Sequence, residues 1–122
     1  MAQVDANFNA ATRPGRKLCD IFDVAVESYR ALGFADEWRL HHQGGLAGYE
    51  PREIVATPQS QYEVALGQAY AWNPSITGTK SEDTILVGER ENEILTAIPG
   101  WPAIKVEVDG CTLERPAILE LE

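Results

Sequence analysis

Residues 37–53, EWRLHHQGGLAGYEPRE, and residues 70–84, YAWNPSITGTKSEDT, are the two stretches that decide how this chain folds. In the first, two adjacent histidines run into a glycine pair at 44–45, where the backbone can approach another group closely or adopt positive φ. In the second, an aromatic strand is expected to end at Asn73-Pro74, because proline cannot donate to a sheet. We expect the rest of the chain to hold these two site-like stretches side by side.

Length and composition predict one ordinary globular domain covering residues 1–122. The chain has 122 residues, of which 44% are hydrophobic and 24% are charged, and a chain of this length buries one core rather than two. The formal net charge is −9, and the ten Lys and Arg residues are scattered instead of forming a basic stripe. Such a surface repels phosphate backbones, so we expect no nucleic-acid partner.

The sequence shows no membrane or secretory signal. No run approaches the roughly 20 apolar residues that span a bilayer, and residues 1–15 lack the basic-then-apolar form of a secretory leader. Cys19 and Cys111 lie far apart without a metal-type spacing, so we interpret them as reduced thiols. We therefore expect a cytoplasmic protein that contacts no membrane.

Two helices are predicted at the start of the chain. Residues 2–12 carry apolar side chains at helical spacing and are followed by the turn signal Arg-Pro-Gly at 13–15. Residues 16–32 have the clearest apolar spacing of three and four residues. Gly33 is placed to end this second helix in the left-handed conformation, and Phe34 is the apolar residue that often closes such a cap.

The remaining residues predict short strands joined by turns. These strands are residues 38–42, 53–56, 68–72, 84–87, 94–96, 104–108 and 112–121. The fourth and fifth form one hairpin, and the last two form another around Asp109-Gly110, interrupted at Pro116. The predicted class is α+β, with two N-terminal helices and a mostly antiparallel curved sheet.

Three segments in this order, HHQGGLAGYEPRE, LGQAYAWNPS and GTKSEDTILVGERENEILT, resemble the pita-bread metallopeptidases. That family includes methionine aminopeptidase, aminopeptidase P, prolidase and creatinase. The third segment is the most specific match, because it has a basic residue, Glu82-Asp83, an apolar run, a polar turn and Leu95-Thr96. The resemblance covers roughly residues 2–97 and implies the C-terminal half of the pita-bread fold.

The resemblance also implies that the family's metal centre is incomplete in this chain. Members hold two divalent metals with two Asp, one His and two Glu, which activate a bridging water. The ligand His falls on Gly45, a second catalytic-type His falls on Arg52, and the first metal Glu falls on Asn73. Glu82 alone matches a ligand, and the two Asp lie upstream of the matched region. The resemblance thus implies no metal cofactor here and leaves enzymatic activity uncertain.

The matched positions permit two interpretations of the candidate site. In the first, His41, Arg52, Asn73, Lys80 and Glu82 line a remnant polar pocket that binds a small molecule or a peptide end. In the second, Lys80 and Glu82 form only a charge pair, Asn73 caps the turn that follows it, and His41 is a satisfied core histidine.

Two functions follow from the resemblance. The chain is either a metallopeptidase-like domain that is catalytically inactive and serves as a binding or interaction module, or a truncated fragment of a longer peptidase acting on N-terminal or Xaa-Pro bonds. Half of a pita-bread domain would leave a sheet edge and an apolar face uncovered. We therefore expect a homodimer that buries strand residues near Trp38 and Trp72.

Overall fold

The computed structural model describes residues 1–121. Two α-helices come first, α1 (Ala2–Ala11) and α2 (Leu18–Ala31), and a short 3₁₀ helix follows at Glu37–Leu40. The strands are, in chain order, β1 (Gly44–Ala47), β2 (Ile54–Val55), β3 (Ala69–Trp72), β4 (Ser75–Ile76), β5 (Thr79–Lys80), β6 (Asp83–Val87), β7 (Asn92–Ile94), β8 (Ala103–Val108) and β9 (Cys111–Pro116). The α+β class predicted from the sequence is confirmed.

An antiparallel sheet brings the two site-like stretches together. In the described part of the chain its five strands have the order β2-β1-β3-β6-β7, and separate hairpins pair β4 with β5 and β8 with β9. Gly44 of β1 faces Trp72 of β3, and Trp72 in turn faces Asp83 of β6. Residues 37–53 and 70–84 therefore lie side by side, as predicted.

Helix α2 confirms the apolar spacing read from the sequence. Its buried positions include Leu18, Ile21, Phe22, Ala25 and Tyr29, which recur every three or four residues on one face. The helix ends as predicted, since Gly33 has φ 87° and the Phe34 amide donates to the Tyr29 carbonyl oxygen at 2.9 Å.

The core lies between the helices and the sheet, and Trp72 is at its centre. The Trp72 ring stacks on Phe8 at 4.5 Å and on Tyr70 at 5.9 Å between ring centroids. Its indole nitrogen donates to the Thr12 hydroxyl at 2.9 Å. Because Trp72 is only 2% exposed, it has no surface left for a second chain. The homodimer expected from the sequence, which would bury strand residues near Trp38 and Trp72, stays a prediction, and its contact would have to use neighbours of Trp72 rather than Trp72 itself.

The predicted strand at residues 38–42 is wrong, because this segment belongs to the 3₁₀ helix and to His41 and His42, which lie outside any strand. The strand begins instead at the glycine pair. Gly44 has φ 112° and Gly45 has φ 156°, and a Cβ on Gly45 would lie 2.0 Å from the Ile54 carbonyl oxygen. Both histidines precede the strand, so the alternation of strand faces does not apply to them.

The two predicted hairpins are confirmed. β6 pairs with β7, and β8 pairs with β9 around Asp109 and Gly110, which have φ 48° and 80°. The last strand is shorter than predicted and ends at Pro116, since proline has no amide hydrogen with which to continue the ladder. Cys19 and Cys111 are free thiols. No helix within residues 1–121 has the length and apolarity that crossing a membrane requires.

Candidate functional site

Four of the five predicted site residues form one polar network at the end of β3. Arg52, from the loop between β1 and β2, donates through Nη2 to Asn73 Oδ1 at 3.2 Å and to Glu82 Oε1 at 3.3 Å. Lys80 Nζ lies 2.6 Å from the other carboxylate oxygen, Glu82 Oε2. We call these four residues, Arg52, Asn73, Lys80 and Glu82, the Arg52 cluster.

The backbone of the two stretches holds Asn73 in place. Its amide donates to the Gln43 carbonyl oxygen at 2.9 Å, which continues the pairing of β1 with β3 by one residue. Its side-chain Nδ2 donates to the His42 carbonyl oxygen at 3.3 Å. Because Asn73 is buried and bonded from both sides, its Oδ1 presents a fixed acceptor to Arg52.

His41 lies beside the Arg52 cluster rather than in it. Its Nε2 contacts the Ser75 hydroxyl, and its Nδ1 lies 2.5 Å from the His42 carbonyl oxygen, which also accepts from Asn73. His41 is half-buried and His42 is exposed. The structure thus couples His41 to Asn73 through one shared carbonyl group.

The two cations around Glu82 set its protonation state. The hydrogen bond from Lys80 lowers the pKa of the Glu82 carboxyl, partial burial opposes this, and Arg52 lowers the pKa further. Glu82 is therefore an ionised acceptor whose two oxygens both face positive groups.

A buried tyrosine, which the sequence did not identify as a site residue, forms hydrogen bonds with residues beside the Arg52 cluster. Tyr29 donates to Gln43 Oε1 at 2.8 Å and accepts from the Ser75 amide at 3.0 Å. Burial raises the pKa of Tyr29 to about 12, so it stays a neutral hydrogen-bonding group. Its position on the apolar stripe of α2 predicted burial, but no sequence signal identified its polar partners.

The possible metal ligands of this chain do not fit the dinuclear metal centre of the family that the chain resembles. Gly45 has no side chain, Asn73 offers a neutral oxygen already bonded to Arg52, and Glu82 is paired with two cations. Hard divalent metals favour anionic oxygen ligands. Within residues 1–121, no three His, Cys, Asp or Glu side chains are grouped to hold a metal ion.

A second ionic cluster, also missed from the sequence, is buried next to Glu82. Arg115 of β9 donates through Nε to Asp5 Oδ2 at 3.0 Å and through Nη2 to Asp83 Oδ2. The Ser81 hydroxyl also contacts Asp5. This cluster fastens the β8–β9 hairpin to α1 and to the start of β6.

Solved structures with the same fold include peptidases and a subunit of the FACT complex. X-Pro aminopeptidase from Thermotoga maritima matches with a TM-score of 0.68 and 18% identity, over 80% of this chain and 29% of that one. A dipeptidase from Pyrococcus horikoshii matches with a TM-score of 0.64 and 25% identity, over 78% and 29%. The N-terminal domain of FACT complex subunit SPT16 from Cicer arietinum matches with a TM-score of 0.67 and 17% identity, over 81% and 27%.

The relatives that are similar in sequence are also named as peptidases. An uncharacterized peptidase of Staphylococcus haemolyticus is 30% identical over 99 residues, and one of Staphylococcus saprophyticus is 29% identical over 92 residues. These matches cover 77% and 71% of this chain but only 28% and 26% of the relatives. No family model matches the chain. The chain has the pita-bread fold of the Xaa-Pro peptidases, over a stretch shorter than a third of their length.

Proposed function

We propose that the chain is a metallopeptidase-like domain without a metal centre of its own, which binds the carboxylate end of a peptide or small molecule at the Arg52 cluster. The observation that carries this proposal is the Arg52 guanidinium, which bridges Asn73 and Glu82 where the related peptidases are expected to place metal ligands. In this arrangement Arg52 and Lys80 supply positive charge beside the matched ligand positions 73 and 82, so the domain would recognise negative charge without activating a water.

The charges of the Arg52 cluster favour an anionic ligand. Arg52 and Lys80 carry two positive charges against the single carboxylate of Glu82, although the whole chain has a formal net charge of −9. Lys80 is exposed and has three donors, of which Glu82 occupies one. A ligand carboxylate can therefore approach Lys80, and also Arg52 Nη1, which bonds only to the Pro51 carbonyl oxygen, through charge-assisted hydrogen bonds.

Two likenesses support a binding role. Several structures with this fold are named for Xaa-Pro peptides, which suggests a peptide carrying proline as the ligand. Another is described as a subunit of a complex rather than as a peptidase, which fits an interaction module.

The two free thiols, Cys19 and Cys111, suit a reducing cytoplasm.

N-acetylproline is the probe that tests the proposed site. We expect it to bind with one-to-one stoichiometry, and we expect Arg52→Met to weaken binding by about tenfold, the loss typical of one charged hydrogen bond. N-acetylprolinamide, which lacks the charge, should bind far more weakly. Two-dimensional NMR titration would measure both affinities.

The matched control is Arg39→Met, since Arg39 lies over the Trp38 ring and outside the Arg52 cluster. It should leave the affinity for N-acetylproline unchanged. Equal binding of the acid and the amide, or an Arg52→Met variant that binds as the unaltered chain does, would contradict the proposal.

The alternative function is that of a fragment of a longer peptidase that hydrolyses N-terminal or Xaa-Pro bonds. The observation favouring it is the coverage, since the chain spans less than a third of its relatives. Against it stands the pairing of Glu82 with Lys80 and Arg52. The coding sequence upstream of Met1 would separate the two functions, because an in-frame segment carrying two Asp in a strand pattern favours the longer peptidase.

Peptide hydrolysis is the corresponding activity test. We expect Xaa-Pro and Met-Xaa peptides to remain intact on incubation with this chain, even with added Mn²⁺ or Co²⁺, because no group in the cluster activates a water. Chromatography of the peptide mixture would detect released proline or methionine. Release above the level of a Glu82→Ala control would show that the chain is an active hydrolase.

A further inference from the structure

We propose that Ser75 and His41 form a nucleophile–base pair that takes acyl groups from esters. His41 is the predicted site residue that lies outside the Arg52 cluster, and its Nε2 contacts the Ser75 hydroxyl. A serine hydroxyl becomes a nucleophile when a neighbouring base removes its proton and a third group orients that base. The proposal does not depend on carboxylate binding at the Arg52 cluster, because neither residue belongs to that cluster.

The third group is the backbone carbonyl of His42. Its oxygen lies 2.5 Å from His41 Nδ1, and a carbonyl oxygen can only accept a hydrogen bond. The same oxygen accepts from Asn73 Nδ2 at 3.3 Å, which holds it in place. The proton of the neutral His41 ring is therefore on Nδ1, and the lone pair of Nε2 faces the Ser75 hydroxyl. This is the tautomer that a general base needs.

One buried network supports both members of the pair. Gln43 is fully buried and donates through Nε2 to the His41 carbonyl oxygen at 3.1 Å. Gln43 Oε1 accepts from the Tyr29 hydroxyl, which in turn accepts from the Ser75 amide at 3.0 Å. The backbones of His41 and Ser75 are therefore held by the same two buried side chains. A pair fixed in this way is already close to the geometry that the reaction requires.

Lys80 supplies positive charge beside the pair. Ser75 of β4 lies directly opposite Lys80 of β5 in their hairpin, and side chains at opposite positions of a ladder share one face. Lys80 bonds to Glu82 and has two further donor hydrogens. When a hydroxyl attacks an ester, the carbonyl oxygen gains negative charge, which a cation on the same face stabilises. Ser75 and His41 are both half-buried, so part of each remains accessible.

The reaction has two steps. In the first, His41 Nε2 takes the hydroxyl proton of Ser75 while Ser75 Oγ attacks the ester carbonyl carbon, and the alcohol leaves with that proton. In the second, His41 takes a proton from water, the resulting hydroxide attacks the acyl-serine, and Ser75 Oγ leaves and regains the proton as the acid is released. Because an alkoxide or phenolate leaves more readily than an amine, we expect the pair to cleave esters while peptide bonds remain intact.

Hydrolysis of p-nitrophenyl acetate by the full chain tests the pair, since the absorbance of p-nitrophenol reports its release. We expect Ser75→Ala and His41→Gln each to lower the release rate at least about tenfold, because general acid–base catalysis contributes roughly 10²–10⁴-fold. The matched control is Ser60→Ala. Ser60 is also half-buried, but its hydroxyl contacts Thr57 instead of a histidine, so this variant should keep the unaltered rate.

Phenylmethylsulfonyl fluoride identifies the nucleophile, because Ser75 Oγ would displace fluoride from its sulfur and retain the sulfonyl group while His41 takes the hydroxyl proton. We expect mass spectrometry of the digested, unaltered chain to find this group on Ser75 and not on Ser60, and we expect Ser75 of His41→Gln to remain unlabelled. The comparison of Ser75 with Ser60 uses the unaltered chain, so it does not depend on how a variant folds. An unlabelled Ser75, labelling that survives His41→Gln, or a release rate that Ser75→Ala leaves unchanged would overturn the proposal.

Discussion

Arg115→Met is expected to lower the free energy of unfolding by about 3–5 kcal/mol, the usual cost of removing one partner from a buried ion pair. Arg115 is 1% exposed, and its guanidinium is bonded to both Asp5 and Asp83. Methionine has a similar length but no charge, so the two carboxylates would remain buried without a cation. Urea unfolding followed by tryptophan fluorescence would measure the loss.

The loss of unfolding free energy in Arg115→Met should depend on pH, because Asp5 can be protonated. Burial raises the pKa of Asp5 above its ordinary value, while Arg115 and the Ser81 hydroxyl lower it in part. A group whose pKa is raised on folding stabilises the protein fully below its ordinary pKa, and this contribution is lost as the pH rises through the folded value. Without Arg115 the pKa of Asp5 rises further, so the deficit of Arg115→Met should narrow as the pH falls from neutrality toward the ordinary value of Asp.

The control for this prediction is an exposed ion pair on helix α2. Arg30 Nη2 lies 2.5 Å from Glu27 Oε2, with both side chains mostly exposed. Arg30→Met should therefore change stability by less than about 1 kcal/mol. A loss in Arg115→Met no larger than that in Arg30→Met, or a deficit that widens on acidification, would show that the Arg115 ion pairs do not hold the hairpin.

The parts of this fold that the sequence predicted are those whose signals are local. The spacing of Leu18, Ile21 and Phe22 defines one helical face, and the Asp109-Gly110 turn defines a hairpin within a few residues. The Arg52 cluster was anticipated through motif positions that the resemblance brought together. In each case the deciding residues are close together in the chain or lie in the three segments that carry the resemblance.

The features that the sequence did not predict depend on contacts between residues that are far apart in the chain. Asp5 and Arg115 are separated by 110 positions, and neither residue type signals burial, since charged residues are seldom buried unless paired. The 3₁₀ helix at Glu37–Leu40 was mistaken for a strand because Trp38 and Leu40 alternate with polar residues. Four residues are too few to distinguish a period of two from a tight helical turn, and the packing of Trp38 on Phe22 decides between them.

The glycine at the family's ligand position has a structural role of its own, so we expect that Gly45→His will not restore a metal site. A Cβ on Gly45 would lie 2.0 Å from the Ile54 carbonyl oxygen and 3.0 Å from the Ala56 amide nitrogen. Both are backbone atoms of the neighbouring strand region, which cannot move aside as a flexible side chain can. The substitution should therefore separate β2 from β1.

Gly45→Ala isolates this steric effect, and we expect it to cost at least about 3 kcal/mol of unfolding free energy, the upper range for overpacking. The matched control is Gly78→Ala, because Gly78 also has positive φ, 96°, but nothing lies within 4 Å of its Cβ position. That variant should lose only the roughly 1–2 kcal/mol of the left-handed conformation. Urea unfolding of both variants would separate the two causes. Equal losses would mean that φ alone selects glycine at 45, whereas a larger loss at 45 would mean that the close contact with Ile54 in this chain excludes a histidine there.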